Sequence, residues 1–171
     1  HLYPFARRHR WKGILVEPQK KVFDSLVKNY EGHSGLIFEN VAISESDGEI
    51  ELFGIDTEHS EDWHELIATV RPEIGMLKDQ NKPIVGIKVP ALTLNSLFRK
   101  HNINKVDFML MDLEGYEPKL FESYDWEIKP DKIYFETRHI GYIQFQQVQK
   151  VLMNQGYTLF TERGDCLAWL K

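Results

Sequence analysis

Three short runs in this sequence end on side chains able to move a proton or hold a hydroxyl. In Met111-Asp-Leu-Glu-Gly-Tyr-Glu117 the carboxylates of Asp112 and Glu114 are two residues apart. In extended chain they point the same way, and Gly115 permits a sharp turn or a close backbone approach to a ligand. Two acids crowded at one strand end suit a general base with an orienting partner, or a metal. The structural reading is that Glu114 to Glu117 cap the following helix, where negative charge is favourable. That reading is preferred for Glu117, and the functional one for Asp112, which directly follows the apolar residues Phe108 to Met111.

The second run is Phe135-Glu-Thr-Arg-His139, in which Glu136 ends a strand pattern and His139 begins the loop after it. An imidazole there could take a proton from a hydroxyl, since its ordinary pKa of about 6.5 suits transfer near neutrality. An ordinary surface histidine is the more common occupant of such a loop. These residues could also form a carboxylate and imidazole metal site, but the spacing is not diagnostic and no metal site is assigned. The third run is Gly13-Ile-Leu-Val-Glu-Pro18, where Glu17 follows a short apolar strand. A carboxylate in that place can accept both hydroxyls of a ribose, and its structural alternative is an exposed acid in the turn before Pro18.

Other patterns fail on inspection. His64-Glu-Leu-Ile-Ala68 opens like a zinc-protease helix, yet Ala68 stands where the second histidine ligand must be. Ser44 and Ser46 lack the glycines of a nucleophile elbow, and Cys166 lies in an apolar strand pattern, so a hydrolase triad has no support. The segment Tyr3 to Arg10 mixes aromatic and basic side chains but is short, and reads as a helix end with a solvated face.

The elements that must position these residues belong to a chain of 171 residues, of which 42% are hydrophobic and 27% charged. Such a chain can bury roughly 70% of the surface its unfolded form exposes, enough for one domain with a core. Its 21 basic residues against 26 acidic ones give a net charge of −5, which argues against a partner that binds through nucleic-acid phosphates. One cysteine cannot form an intrachain disulfide or a multi-thiolate zinc cluster, which fits a reducing, cytoplasmic setting. No apolar run approaches the roughly 20 residues of a membrane span.

Along the chain, Gly13 to Val16 predicts a strand buried on both faces, closed by Pro18. Val22, Phe23, Leu26, Val27 and Tyr30 follow at helical spacing, up to Gly32. Leu36 to Phe38 predicts a second strand. Asn40 to Ser44, the Asp47-Gly48 pair and Glu49 to Phe53 then predict a hairpin. Residues 55–83 are polar and weakly periodic, with a short helix expected around Trp63 to Val70; their length suits a lid or insertion. A helix from Thr93 to His101, a central strand from Val106 to Asp112, a helix from Glu117 to Tyr124 and a strand from Lys132 to Glu136 follow. A helix through Phe145, Val148 and Leu152, stopping at Gly156, precedes a closing hairpin of 157–160 and 166–170. The alternation implies one α/β domain over residues 1–171, a doubly wound, mostly parallel, Rossmann-like sheet ending in an antiparallel hairpin.

Taken together these residues resemble the FkbM family of S-adenosylmethionine-dependent methyltransferases. The likeness runs from Trp11-Lys-Gly-Ile-Leu-Val-Glu-Pro18 through Asn40-Val-Ala-Ile-Ser44, Asp47-Gly48, Leu92-Thr-Leu94 and Val106 to Glu117, to Ile133 through Glu136. The resemblance implies a class I methyltransferase fold with S-adenosylmethionine as cofactor. It also implies that Glu17, with Pro18 beside it, binds the cofactor ribose and that Asn40, Val41 and Ala42 lie beside the adenine. Asp112 and Glu114 would lie near the methionine end, with Asp112 counted among the cofactor contacts, and His139 joins them as a catalytic candidate. The acceptor implied is a hydroxyl of a sugar, glycan or small metabolite, and a homodimer is compatible with this reading. The family's first strand and glycine-rich turn are expected upstream of residue 1. The alternatives are a non-catalytic Rossmann-like module for binding or assembly, and a nucleotide-dependent oxidoreductase of similar architecture.

Overall fold

A computed structural model describes residues 3–55, 68–69 and 84–171. Helix α1 (Tyr3–His9) buries Ala6 and leads into strand β1 (Gly13–Val16). Helix α2 (Lys20–Asn29) turns Val22, Phe23 and Leu26 inward, half-buried, and leaves Val27 exposed. Strand β2 (Leu36–Glu39) then returns to pair in parallel with β1, Gly13 opposite Leu36 and Val16 opposite Glu39. A parallel return needs a crossover, and α2 supplies it. The side chains of Ile14, Leu15 and Val16 are half-buried and Gly13 is exposed, so β1 is less enclosed than its apolar run predicts. Among the described residues β1 is hydrogen-bonded on one side, to β2.

The segment expected to fold as a hairpin does not pair with itself. Strands β3 (Ala42–Ile43) and β4 (Gly48–Ile55) lie on opposite sides of β6 (Ile84–Leu92): β3 runs parallel to it, and β4 runs antiparallel along its whole length. Strand β5 (Ala68–Thr69) completes that sheet on the far side of β4. The Asp47-Gly48 pair has another task. Asp47 accepts from the backbone N–H of Thr93 at 2.7 Å and from the Ser96 hydroxyl at 2.6 Å, fixing the start of helix α3 (Leu94–Lys100). Thr93 adds its own cap, accepting from the Ser96 N–H at 3.1 Å. Apart from Ile55 and the two residues of β5, the lid expected over 55–83, with His59, Trp63 and His64, lies outside the described residues.

The second half holds the main core. Strands β7 (Met109–Met111) and β8 (Lys132–Glu136) pair in parallel, and β8 pairs antiparallel with β10 (Asp165–Leu170), which forms the closing hairpin with β9 (Tyr157–Glu162). The resulting order is β7-β8-β10-β9, so β7, expected at the centre of a sheet, is the edge strand of this one among the described residues. Helices α4 (Glu117–Ser123) and α5 (Tyr142–Asn154) pack on each other, and α5 packs on β9. Phe121, Ile133, Phe135, Val148, Leu152, Cys166 and Ala168 are buried almost completely between these layers. Phe121 stacks on Trp126 at 6.0 Å and meets Phe135 edge to face at 5.1 Å, geometries that add to simple area burial. The whole is mixed α/β with parallel pairs and an antiparallel close, as the alternation requires. No helix among the described residues is long and apolar enough to cross a membrane.

Candidate functional site

The chain leaves β7 through a tight turn. Glu114 takes φ +53° and Gly115 takes φ +91°, and the Tyr116 N–H donates back to the Leu113 carbonyl at 3.2 Å. Two consecutive left-handed residues take the chain out of the extended geometry in which Asp112 and Glu114 would point the same way. Asp112 is exposed, whereas Glu114 is largely covered and its Oε2 is buried. A left-handed glutamate is uncommon, and the turn holds it there because Glu117 closes the loop behind. Glu117 is fully buried and accepts from the Leu113 N–H at 2.8 Å. Burial pushes its carboxyl up to about 7, against the pull of the backbone N–H groups. It is therefore a structural acid, as preferred from the sequence, but its work is to brace the turn from inside.

The turn packs on the loop after β8. His139 lies there with its Nε2 at 3.4 Å from Glu114 Oε2 and 3.7 Å from Glu136 Oε2. One ligating atom from each of Glu114, Glu136 and His139 can be chosen so that all lie within 4.8 Å of one another. The Glu114 carboxyl is held above its ordinary value, first by burial and then by Asp112 and Glu136, with His139 opposing. Glu136 is raised for the same first reason, and Asp112 adds to it while His139 and Arg138 pull it down. Asp112, Glu114, Glu136 and His139 thus form one electrostatic group at the ends of two adjacent parallel strands. Of these, Asp112, Glu114 and His139 are the expected catalytic candidates; Glu136, read from sequence as a strand end and a possible metal ligand beside His139, lies with them.

The ends of β1 and β2 form a second cluster. Glu17 accepts from the Gln19 N–H at 2.8 Å, and burial raises its carboxyl above the ordinary value. Asn40 reaches back from the end of β2, donating its amide to the carbonyls of Glu17 at 2.8 Å and Pro18 at 3.0 Å. One side chain therefore locks both strand ends at a fixed separation. Val41 and Ala42 are buried and Pro18 is half-buried.

One acid in this region was not foreseen. Glu39, the last residue of β2, is buried, with Lys100 Nζ at 2.8 Å from Oε1 and His101 Nε2 at 2.5 Å from Oε1. Burial alone would raise its carboxyl, but hydrogen bonds from Lys100 and His101 hold it below the ordinary value. The triad ties β2 to the C-terminal end of α3. A glutamate after Leu-Ile-Phe reads as a strand end, and nothing local announces partners sixty residues on.

The family model described as the methyltransferase FkbM domain matches residues 2–159. No curated protein matches the chain. Among solved structures, the Methanococcus jannaschii fibrillarin pre-rRNA processing protein is similar at 10% identity and a TM-score of 0.44, over 91% of this chain and 55% of that one. This chain thus spans little more than half the length of that structure.

Proposed function

Because the chain belongs to the FkbM methyltransferase domain family, we propose that it transfers a methyl group from S-adenosylmethionine to a hydroxyl of a sugar, glycan or small metabolite. The observation that carries this reading is the convergence of Glu114, Glu136 and His139 where β7 and β8 end. In open α/β sheets ligands lie at the carboxyl ends of strands, and a scaffold without chemistry has no reason to gather like charges there.

The residues present fit the proposed cofactor. Glu17 is a partly desolvated carboxylate with one hydrogen bond from Gln19. It has acceptor capacity to spare, and a pair of vicinal ribose hydroxyls would supply the missing donors. Asn40 keeps the Glu17 backbone in place, with Val41 and Ala42 offering a buried apolar wall suited to a flat base. S-adenosylmethionine, when bound, supplies an electrophilic methyl carbon. The chain's own task is then to hold the acceptor oxygen in line with that carbon, an effect of positioning. Its other task is to take the hydroxyl proton, which the group of Asp112, Glu114 and His139 is composed to do. Residues 55–83 are proposed as the substrate cover, on the strength of their length and composition. A cytoplasmic setting fits the single thiol: Cys166 is buried in β10, its pKa pushed up to about 12 by burial.

The test is transfer of a labelled methyl group from S-adenosylmethionine to a panel of sugars, oligosaccharides and hydroxylated metabolites. The expected result is labelling of at least one acceptor by the wild-type chain, with turnover lower by roughly 10²-fold or more in Asp112→Asn and His139→Ala. Label appearing on none of them, or at equal rates in those variants, counts against the reading and promotes the non-catalytic module.

A further inference from the structure

We propose that Glu114, Glu136 and His139 are the protein ligands of a single divalent transition-metal cation. The first support is the donor set. Two carboxylate oxygens and one imidazole nitrogen suit Mn²⁺, Fe²⁺ or Zn²⁺, and three protein ligands leave positions open for water or a substrate oxygen. The second is spacing. Ligands at about 2.1 Å from a tetrahedral ion lie about 3.4 Å from each other, and here His139 Nε2 stands 3.4 Å from one carboxylate oxygen and 3.7 Å from the other. These groups do not hydrogen-bond to one another: Glu114 Oε2 is buried and has no hydrogen-bond partner. Such an orphaned acceptor costs free energy that a bound cation would remove.

A third support is local charge. The two buried side-chain oxygens without a donor among the described residues, on Glu114 and Glu117, belong to the same turn after β7. Asp112 adds a further negative charge close by. Facing these acids are His139 itself and the exposed Arg138, whose guanidinium lies 3.6 Å from the other oxygen of Glu136. The ligand side chains are about one-fifth exposed, which leaves an ion a route in from solvent.

Ion binding stands apart from methyl transfer; the ion's part in the reaction rests on that reading. An ion in this place would hold the acceptor hydroxyl and lower its pKa. His139 is then a ligand, and the exposed Asp112 is the group left to receive the hydroxyl proton as the oxygen bonds to the methyl carbon and the carbon–sulfur bond of the sulfonium breaks, its electron pair leaving on the neutral thioether sulfur.

The experiment is calorimetric titration of Mn²⁺ and, separately, Zn²⁺ into the metal-stripped full chain without S-adenosylmethionine. Electron paramagnetic resonance of the Mn²⁺ sample provides a second readout. Parallel titrations use Glu114→Gln, Glu136→Gln and His139→Ala, each checked for native circular dichroism, with Glu122→Gln on the exposed side of α4 as control. The proposal expects one ion per chain, with affinity weakened about tenfold or more in any ligand variant that folds and unchanged in the control. Absence of saturable binding of both ions, or equal binding in the folded ligand variants, would overturn it. Because no methyl donor is present, failure here leaves the methyl-transfer reading untouched, and that reading can fail while the ion still binds.

Discussion

Gly115 and His139 are packed so closely that a Cβ on Gly115 would stand 2.6 Å from the carbonyl oxygen of His139, with the His139 Cβ only 3.3 Å away. The turn after β7 and the loop after β8 are therefore one structural unit, and the left-handed φ of +91° at Gly115 is part of the same constraint. Gly115→Ala must push backbone against backbone at the place where Glu114 and His139 meet. It is expected to cost roughly 2–4 kcal/mol of stability. Methyl transfer should fall by more than that loss of folded protein explains, read by comparing thermal melts with turnover below the melting temperature.

Glu117 makes a prediction about neutral pH. Its carboxyl is raised to about 7 in the folded chain against 4.5 as the ordinary value. Between those pH values the folded chain binds more protons than the unfolded one, so the stability contribution is complete below about 4.5 and is lost as pH rises towards 7. The difference is on the order of 3 kcal/mol. Glu117→Gln should flatten that decline while keeping an acceptor for the Leu113 N–H; denaturant melts of both proteins from pH 4.5 to 7.5 measure it.

Glu39 acts in the opposite direction. Lys100 and His101 hold its carboxyl below the ordinary value, so its contribution is present above about 4.5 and disappears as pH falls through the lowered folded value. Glu39→Gln should be less stable than wild type at pH 7 by about 1–3 kcal/mol, with the gap closing on acidification. Lys100 is half exposed and can turn to water, which keeps the cost below that of breaking a fully buried pair.

Asn40 links the two strand ends that flank the proposed cofactor site. Asn40→Ala removes both of its bonds, to the carbonyls of Glu17 and Pro18, and should destabilise the chain by about 1–3 kcal/mol. Affinity for S-adenosylmethionine should fall as well, even at temperatures where the variant is fully folded. Calorimetry on the folded variant separates the two effects.

How much of this was legible in the sequence follows from what each element depends on. Strand β1, helix α2, helix α5 and the β9–β10 hairpin carry their periodicity and stop signals within a dozen residues, and all four form where the pattern places them. The pairing of β4 was misread because Asp47-Gly48 looks like a local reversal, whereas its true partner, β6, lies beyond an intervening segment of 28 residues and β3 sits on that partner's other edge. Strand β7 is shorter than the strand expected over Val106 to Asp112, since pairing with β8 covers only Met109 to Met111. At the site, the types of Asp112, Glu114 and His139 were readable. The left-handed turn that buries Glu114 beside Glu136 and His139 while Asp112 stays exposed was not, since it depends on Glu117 bracing the loop and on Gly115 meeting the His139 backbone. The Glu39 triad was hidden for the same reason: its members lie about sixty residues apart.

The most direct measurement is calorimetric titration of S-adenosylmethionine into the full chain, with Glu17→Ala alongside and a nicotinamide dinucleotide as the competing cofactor class. The expected result is saturable binding of S-adenosylmethionine, none of the dinucleotide, and affinity lower by about tenfold or more in Glu17→Ala, as follows when a charged hydrogen-bond acceptor is removed. Binding of the dinucleotide instead, or of neither by a folded chain, would contradict it.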